Sequence, residues 1–283
     1  MSLPEAPLRL IEAALAEDVG AGDFTTLWTV PADRRAEASI VAKQSGILAG
    51  MEVAREVFRR VDADLSLDVL LRDGADLAPG NVVLKVQGSA RSILTAERTA
   101  LNFIQRLSGV ATMTRRYVAA VTGTGARVID TRKTTPGMRW LEKAAVLAGG
   151  GSNHRHGLFD MVMIKDNHIA AAGGIEAAVA AVRRENHAGL KVEVETTSLD
   201  EVRQALTAGA DRIMFDNMSV DTMRDAVALV RAGGGAVPET EASGGITLET
   251  IRGYAETGVD FISVGALTHS APALDLSLQL RPA

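Results

Sequence analysis

From residue 126 to residue 265 the chain repeats one pattern: a short β-branched run, closed by polar residues, then a stretch whose apolar positions recur at helical spacing. The runs are ARVID (126–130), MVMIKDN (161–167), KVEVE (191–195), RIMFDN (212–217), a weaker PETEASG (238–244) and VDFISVG (259–265). Between the later ones sit GIEAAVAAVRREN, LDEVRQALTAG, TMRDAVALVRAG and LETIRGYAETG, all helical in pattern. Parallel strands need a long crossover between them, usually a helix, so this alternation predicts a parallel α/β arrangement. A barrel is the leading reading, with a doubly wound sheet second.

The first 92 residues follow a different rhythm. A helix to Glu17, a β-like ASIVAKQSGILAG (38–50), a helix MEVAREVFRRV (51–61) and a strand GNVVLKVQG (80–88) with Val82, Leu84 and Val86 on one face predict a mixed α and β domain. From Ser92 to Val121 the pattern is helical and reads as a connector, with Gly109 as its expected break or kink. Near the end, ALDLSLQL (273–280) sets Leu274, Leu276, Leu278 and Leu280 at period two, an antiparallel edge strand expected to fold back onto the N-terminal domain.

Composition narrows the function classes. The chain has 283 residues, 47% of them hydrophobic, enough for a barrel plus a smaller domain without staples. No stretch approaches the roughly 20 apolar residues of a membrane span, and the acidic, helically patterned N-terminus is unlike a secretory signal. With no cysteine there is no disulfide, no thiolate nucleophile and no sulfur-bound metal, which fits a cytoplasmic location. A net charge of -5 with two Trp and two Tyr argues against a nucleic-acid partner.

In a parallel barrel the carboxyl ends of the strands and the loops after them line one mouth. The residues at that phase are Thr131-Arg132-Lys133, Lys165-Asp166-Asn167-His168, Glu195, Asp216-Asn217, Ser243-Gly244-Gly245 and Gly265-Ala266. Between Thr131 and His168 six Lys/Arg face three acids: Arg132, Lys133, Arg139, Lys143, Arg155 and Lys165 against Glu142, Asp160 and Asp166. A local excess of cations in an acidic chain predicts a small anionic ligand, since guanidinium and ammonium groups suit carboxylate and phosphate. The glycines of AGGGSNHRHG (148–157), EASGGI and SVGALTH offer amides for close approach to anionic oxygens. Opposite this half, Glu195 and Asp216 are a carboxylate pair that could take Mg²⁺ beside a substrate phosphate. Lys165 at a strand end fits a Schiff-base lysine as well as a carboxylate grip. His154 and His156 at i, i+2 suit anion contact better than metal, with no third ligand in view.

Taken together, EDVGAGDFTT (17–26), GILAG, ILTAERTALNFIQRLSGVAT (93–112), the block 130–169 from DTRKTTPGMR to MIKDNHI, VEVE, DNMS, EASGGI and GVDFISVGALTHSAPALDLSL resemble the quinolinate phosphoribosyltransferase family over nearly the whole chain. Phe215 stands where the family usually has Leu before Asp-Asn-Met, and Thr196-Thr197 follow the Glu in place of its Asn-Leu-like pair. The resemblance implies an N-terminal α/β sandwich (1–105), an open seven-stranded α/β barrel (106–269) and a C-terminal segment (270–283) returning to the sandwich. It implies phosphoribosyl transfer from phosphoribosyl pyrophosphate to quinolinate with decarboxylation, Mg²⁺ as cofactor, and a homodimer or higher oligomer that shares its sites. By position, Arg98 (from the neighbouring subunit), Thr131, Arg132, Lys133, His154, Arg155 and Lys165 match the quinolinate cage. Lys133, Glu195 and Asp216 match the catalytic set, with the two acids serving the ribose and the metal. Ser243, Gly244, Gly245, Val264, Gly265 and Ala266 match the 5′-phosphate loops. The alternatives are a molybdenum-transport accessory homologue of the same fold, an aldolase-type barrel using Lys165, and a non-catalytic binder of anionic metabolites.

Overall fold

In the computed structural model, residues 3–233 and 237–282 are described. Chain order is α1 (Glu5–Val19), α2 (Phe24–Thr29), β1 (Arg35–Ala42), β2 (Gly46–Ile47), α3 (Met51–Val61), β3 (Ser66–Val69), β4 (Asp76–Leu77), β5 (Val82–Ser89), α4 (Ala90–Ala120), β6 (Arg127–Ile129), α5 (Arg139–Ala148), β7 (Val162–Ile164), α6 (Asp166–Ala172), α7 (Ile175–Glu185), β8 (Val192–Thr196), α8 (Leu199–Ala208), β9 (Arg212–Asp216), α9 (Val220–Ala232), β10 (Glu239–Ser243), α10 (Ile251–Ala255), β11 (Phe261–Ser263), α11 (Ala266–His269) and β12 (Leu276–Pro282). The contacts divide these into two units: residues 1–115, 134–150 and 267–283, and residues 116–133 with 151–266.

The first unit holds an antiparallel sheet in the order β12-β1-β5-β3. β12 is the leucine-alternating segment, and it pairs with β1 with Leu280 opposite Ala38 and Leu278 opposite Ile40. The expected start at 273 is three residues early. Leu274 is buried ahead of the strand, and its N–H donates to the Gln105 carbonyl at 2.9 Å. The β-like stretch 38–50 breaks into β1 and β2, and β2 pairs only with β4.

Gly109 does not break α4, which runs unbroken through it. The glycine is there for packing: a Cβ at position 109 would lie 2.0 Å from the Pro272 carbonyl oxygen. Gly50 is a second forced glycine. It sits at φ 91° before α3, and Asp73 caps that helix from across the unit by accepting the N–H groups of Gly50 and Met51, each at 3.0 Å.

The second unit is a parallel sheet in the order β6-β11-β10-β9-β8-β7. Val192 and Val194 of β8 and Ile213 and Phe215 of β9 are buried on one face, and the intervening positions Glu193, Glu195, Arg212, Met214 and Asp216 share the other. Ser152 bridges to Ile129 on the outer side of β6, five strand spacings from β8, a path of roughly 24 Å in a flat sheet. Two residues beyond Ser152, the His154 ring lies 3.0 Å from Glu193 on β8, so the sheet must curl to bring its edges together. Ser198 and Ser219 accept the N–H groups of Glu201 and Thr222, which starts α8 and α9 sharply and leaves Glu195 and Asp216 at strand ends.

Gly109→Ala tests the packing role. Helix propensity alone would favour alanine by about 1 kcal/mol, whereas a Cβ driven into the Pro272 backbone should destabilise the fold by about 1 to 3 kcal/mol. Thermal unfolding should therefore move to lower temperature, and a raised Tm would show that Gly109 is not held by this contact.

Candidate active site

The carboxyl ends of the parallel strands enclose a cavity of about 440 Å³, of the size that binds metabolites. Its lining residues include Thr131, Arg132 and Lys133 after β6, His154 and Arg155 beside β6, Lys165 after β7, Glu195 on β8, Asp216 and Asn217 at the end of β9, Ser243, Gly244 and Gly245 at the end of β10, and Ser263 on β11. Going round the curled sheet, the cations of β6, the 152–155 segment and β7 lie together. The acids of β8 and β9 follow, and then the glycines of β10.

The cations crowd. Burial and the neighbouring charge of Arg132 hold the Arg155 guanidinium below its usual range. Arg155 Nη1 donates to the Met161 carbonyl at 3.0 Å, which fixes its position. Like charges gathered over a cavity favour an anion between them. On the acidic side, Lys165 Nζ bonds to Glu195 Oε2, and Asn217 Nδ2 donates to Asp216 Oδ2 at 2.7 Å. Lys165 is thus ion-paired and 43% exposed, the opposite of the desolvated setting of a Schiff-base amine.

Other residues singled out by the sequence lie outside the lining of this cavity or turn away from it. Of the six cations counted between Thr131 and His168, four line the cavity. Arg139 begins α5 and donates to Thr134 Oγ1 at 3.1 Å, and Lys143 is fully buried on the same helix in the other unit. The glycine run at 149–151 does not line the cavity either: a Cβ on Gly149 would lie 2.4 Å from the Ala111 carbonyl oxygen, so packing demands it. Val264, Gly265 and Ala266 are absent from the lining, and the Val264 N–H is used by the Ile129 carbonyl at 3.0 Å. His168 turns back to accept the Lys165 N–H at 3.0 Å, in the first turn of α6. Arg98 is exposed on α4 and does not line the cavity.

His154 lines the cavity, yet its ring nitrogens face other protein groups. Nε2 lies 3.0 Å from Glu193 and 3.4 Å from Glu241, both fully buried, and Nδ1 accepts the Arg155 N–H at 2.7 Å. Arg212 lies against the same acids, with Nη1 3.2 Å from Glu241. Burial weakens the hold of the His154 ring on a proton, but the hydrogen bonds and charges of Glu193 and Glu241 outweigh it and push the pKa up to about 9. The Arg155 N–H opposes a second ring proton. Two carboxylates in a dry setting outweigh one amide dipole, so the charged ring is favoured at neutral pH at the expense of the Arg155 contact, which only the neutral ring can accept. Glu193 is pushed up to about 7 by burial and by the charge of Glu241, while Glu241, despite its burial, is held below the usual range by His154 and Arg212. His154, Glu193 and Glu241 also form the one three-residue cluster with metal-ligand spacing among the described residues, but Glu241 already has Arg212 against it at 3.2 Å, and Arg212 also bonds Glu239 at 2.9 Å. Glu193 and Glu241 lie below the strand ends, one layer under the residues that the βα phase picks out. Glu193 stands two residues before Glu195, and Glu241 two before Ser243, a spacing that puts each on the cavity face.

Two family models match the chain: the quinolinate phosphoribosyl transferase N-terminal domain over residues 23–108 and its C-terminal domain over residues 110–279. The chain belongs to the quinolinate phosphoribosyltransferase family. It is 45% identical over 272 residues to a probable carboxylating nicotinate-nucleotide pyrophosphorylase of Bacillus subtilis, covering 96% of this chain and 92% of that one. To the chloroplastic carboxylating nicotinate-nucleotide pyrophosphorylase of Arabidopsis thaliana it is 46% identical, covering 96% and 82%. Among solved structures, NadC from Streptococcus pyogenes superposes with a TM-score of 0.94 at 41% identity, covering 100% and 99% of the two chains. The nicotinate-nucleotide pyrophosphorylase from Francisella tularensis matches with a TM-score of 0.94 at 42% identity, covering 99% and 98%. Thr131, Arg132 and Lys133 of the block 130–169, with Lys165 from its end, thus line one cavity in a member of this family.

A raised histidine pKa stabilises the fold below the ordinary value of 6.5, and that stabilisation is lost as pH rises through about 9. The Tm of the wild-type protein should therefore fall between pH 7 and 9.5. In His154→Gln that slope should flatten, and parallel slopes in the two proteins would count against a charged His154.

Proposed function

We propose that this enzyme transfers the phosphoribosyl group of phosphoribosyl pyrophosphate to the ring nitrogen of quinolinate, with loss of CO₂, giving nicotinate mononucleotide and pyrophosphate. The observation that carries this reading is the arrangement of the cavity, with Arg132, Lys133, Arg155 and Lys165 gathered on one arc and Glu195 and Asp216 on the next. A doubly ionised pyridine would lose much of its hydration in so enclosed a place, and fixed cations offset that cost. Thr131, Arg132, Lys133, Arg155 and Lys165 would hold its carboxylates, and His154, whose Nε2 is turned to Glu193 and Glu241, would add charge from below without direct contact. Held this way, the ring nitrogen is aimed at C1 of the ribose.

As pyrophosphate leaves, positive charge develops at C1, and the carboxylates of Glu195 and Asp216 stabilise it. Lys133 steadies the negative charge of the substrates on the opposite arc. Once alkylated, the ring nitrogen is cationic and accepts the electron pair released when the adjacent carboxylate departs as CO₂. Ser243, Gly244 and Gly245 would receive the 5′-phosphate, with room for its oxygens at Gly245, where nothing lies within 4 Å of the place a Cβ would take. Val264, Gly265 and Ala266 would contribute to the same cradle from its edge.

Glu195 and Asp216 offer hard oxygen donors on one cavity wall, a set that fits Mg²⁺, which takes one or two carboxylates and leaves its other positions to water and phosphate. Bound there, it would take up charge on the departing pyrophosphate. In the same reading the bridge at Ser152 marks a short seventh strand of an open barrel, and residues 1–105 with the returning 270–283 segment make up the sandwich domain. The working unit is a homodimer or a larger assembly in the cytoplasm, with Arg98 reaching a neighbouring copy's cavity. Among the described residues no helix is long and apolar enough to cross a membrane.

CO₂ release from quinolinate, phosphoribosyl pyrophosphate and Mg²⁺ tests the reaction. In that assay Lys133→Ala and Arg155→Ala should raise KM for quinolinate at least tenfold, whereas Glu195→Ala and Asp216→Ala should lower kcat at least a hundredfold. Wild-type quinolinate affinity in Lys133→Ala would reject the carboxylate cage.

Mixing probes the shared site. At a quinolinate concentration too low for Arg98→Ala or Lys133→Ala protein to turn over alone, a mixture of the two should recover about a quarter of wild-type activity once subunits exchange. No recovery in verified mixed dimers would show that Arg98 acts elsewhere.

A further inference from the structure

Asn217 is the one non-glycine residue among those described whose backbone has positive φ, at 54°. A side chain in this left-handed region costs about 1 kcal/mol, and although asparagine tolerates it best, glycine fits it without cost. Among the described residues the other positive-φ positions are glycines, including Gly244 and Gly245 at the end of the neighbouring strand β10. Backbone geometry therefore does not explain the asparagine. Its side chain must offset the strain by something it does.

Three contacts define that role. The Asn217 N–H donates to the Ser243 carbonyl at 2.9 Å, which carries the β9–β10 ladder one rung past the Asp216–Ser243 pair. Its Nδ2 donates to Asp216 Oδ2 at 2.7 Å. Its Oδ1 lies over Gly244, where a Cβ would come within 2.3 Å of it. The amide is thus wedged between the Gly244 backbone and the Asp216 carboxylate, and only the orientation with nitrogen toward Asp216 avoids setting two oxygens face to face. With Oδ2 of Asp216 engaged in this way, rotation of the carboxylate is checked and Oδ1 is left to the cavity.

We propose that Asn217 is a positioning residue: it accepts a strained backbone so that its amide fixes the Asp216 carboxylate with one oxygen toward the sugar diphosphate, and Gly244 supplies the space this wedge needs. The inference rests on the reading of Asp216 given above. It places the residue in the acidic arc, so its loss acts on turnover and not on the capture of quinolinate by the cationic arc.

Two variants separate positioning from packing. Asn217→Gly removes the amide and the strain together, and Asn217→Ala removes the amide and keeps the strain. Both should lower kcat for CO₂ release about tenfold while KM for quinolinate stays within twofold of wild type. Their stabilities should part: Tm at or above wild type for Asn217→Gly, and about 2 to 4 °C lower for Asn217→Ala. Wild-type kcat in Asn217→Gly would overturn the proposal, as would a kcat that follows Tm across the two variants. Asp216→Ala in the same assay tells the two failures apart. If it loses turnover while Asn217→Gly keeps it, only the positioning role fails; if it keeps turnover, the role of Asp216 fails and this inference with it.

Discussion

Glu193 and Glu241 have no contact with solvent, and whatever charge they carry must be compensated within the protein. His154 and Arg212 do so, one reaching in from beside β6 and the other rising from the start of β9. Removing one partner of such a buried pair costs about 3 to 5 kcal/mol, because the charge left behind has nowhere to go. The cluster also spans the sheet: it links the 152–155 segment to β8, β9 and β10, and its balance exists only while the sheet is curled. The geometry of the cavity above is thereby tied to an electrostatic condition beneath it.

Strand periodicity makes that tie strict. Glu193 and Glu195 share one face of β8, and Glu241 and Ser243 share one face of β10, two residues apart in each case. A one-residue slip of either strand would turn the buried acid and the cavity residue away together. The paired registers Glu195–Met214, Glu241–Met214 and Ser243–Asp216 fix the three strands against one another, so the floor and the mouth are set at once.

Much of the site was legible because parallel strands end along one edge. Whatever follows each apolar run arrives at the same rim, and Lys165, Glu195, Asp216 and Ser243 were found by that phase alone. Phase along the chain does not report which folding unit a segment joins. Residues 134–150 lie between two runs in sequence but belong to the other unit, and Arg139, Lys143 and Gly149 are not among the residues lining the cavity. Glycine misled for a related reason. Gly109 and Gly149 are required by a neighbouring backbone, contacts far apart in sequence that no local pattern reports. Arg98 had no signal beyond an exposed charge on a helix, and only the family resemblance singled it out.

Depth along a strand is what lets one residue type serve two ends. Glu193 and Glu195 are the same side chain on the same face of β8, a rise of roughly 7 Å apart. The lower one sits in a dry layer, where burial and Glu241 push its pKa up to about 7 and it belongs to the balance of the fold. The upper one meets Lys165 near solvent, and a substrate can compete for it there. Neither composition nor spacing separates these two glutamates. The curl of the sheet does, by closing over one layer and leaving the next open, and a strand extended by a single further pair of residues would put Glu195 where Glu193 now lies.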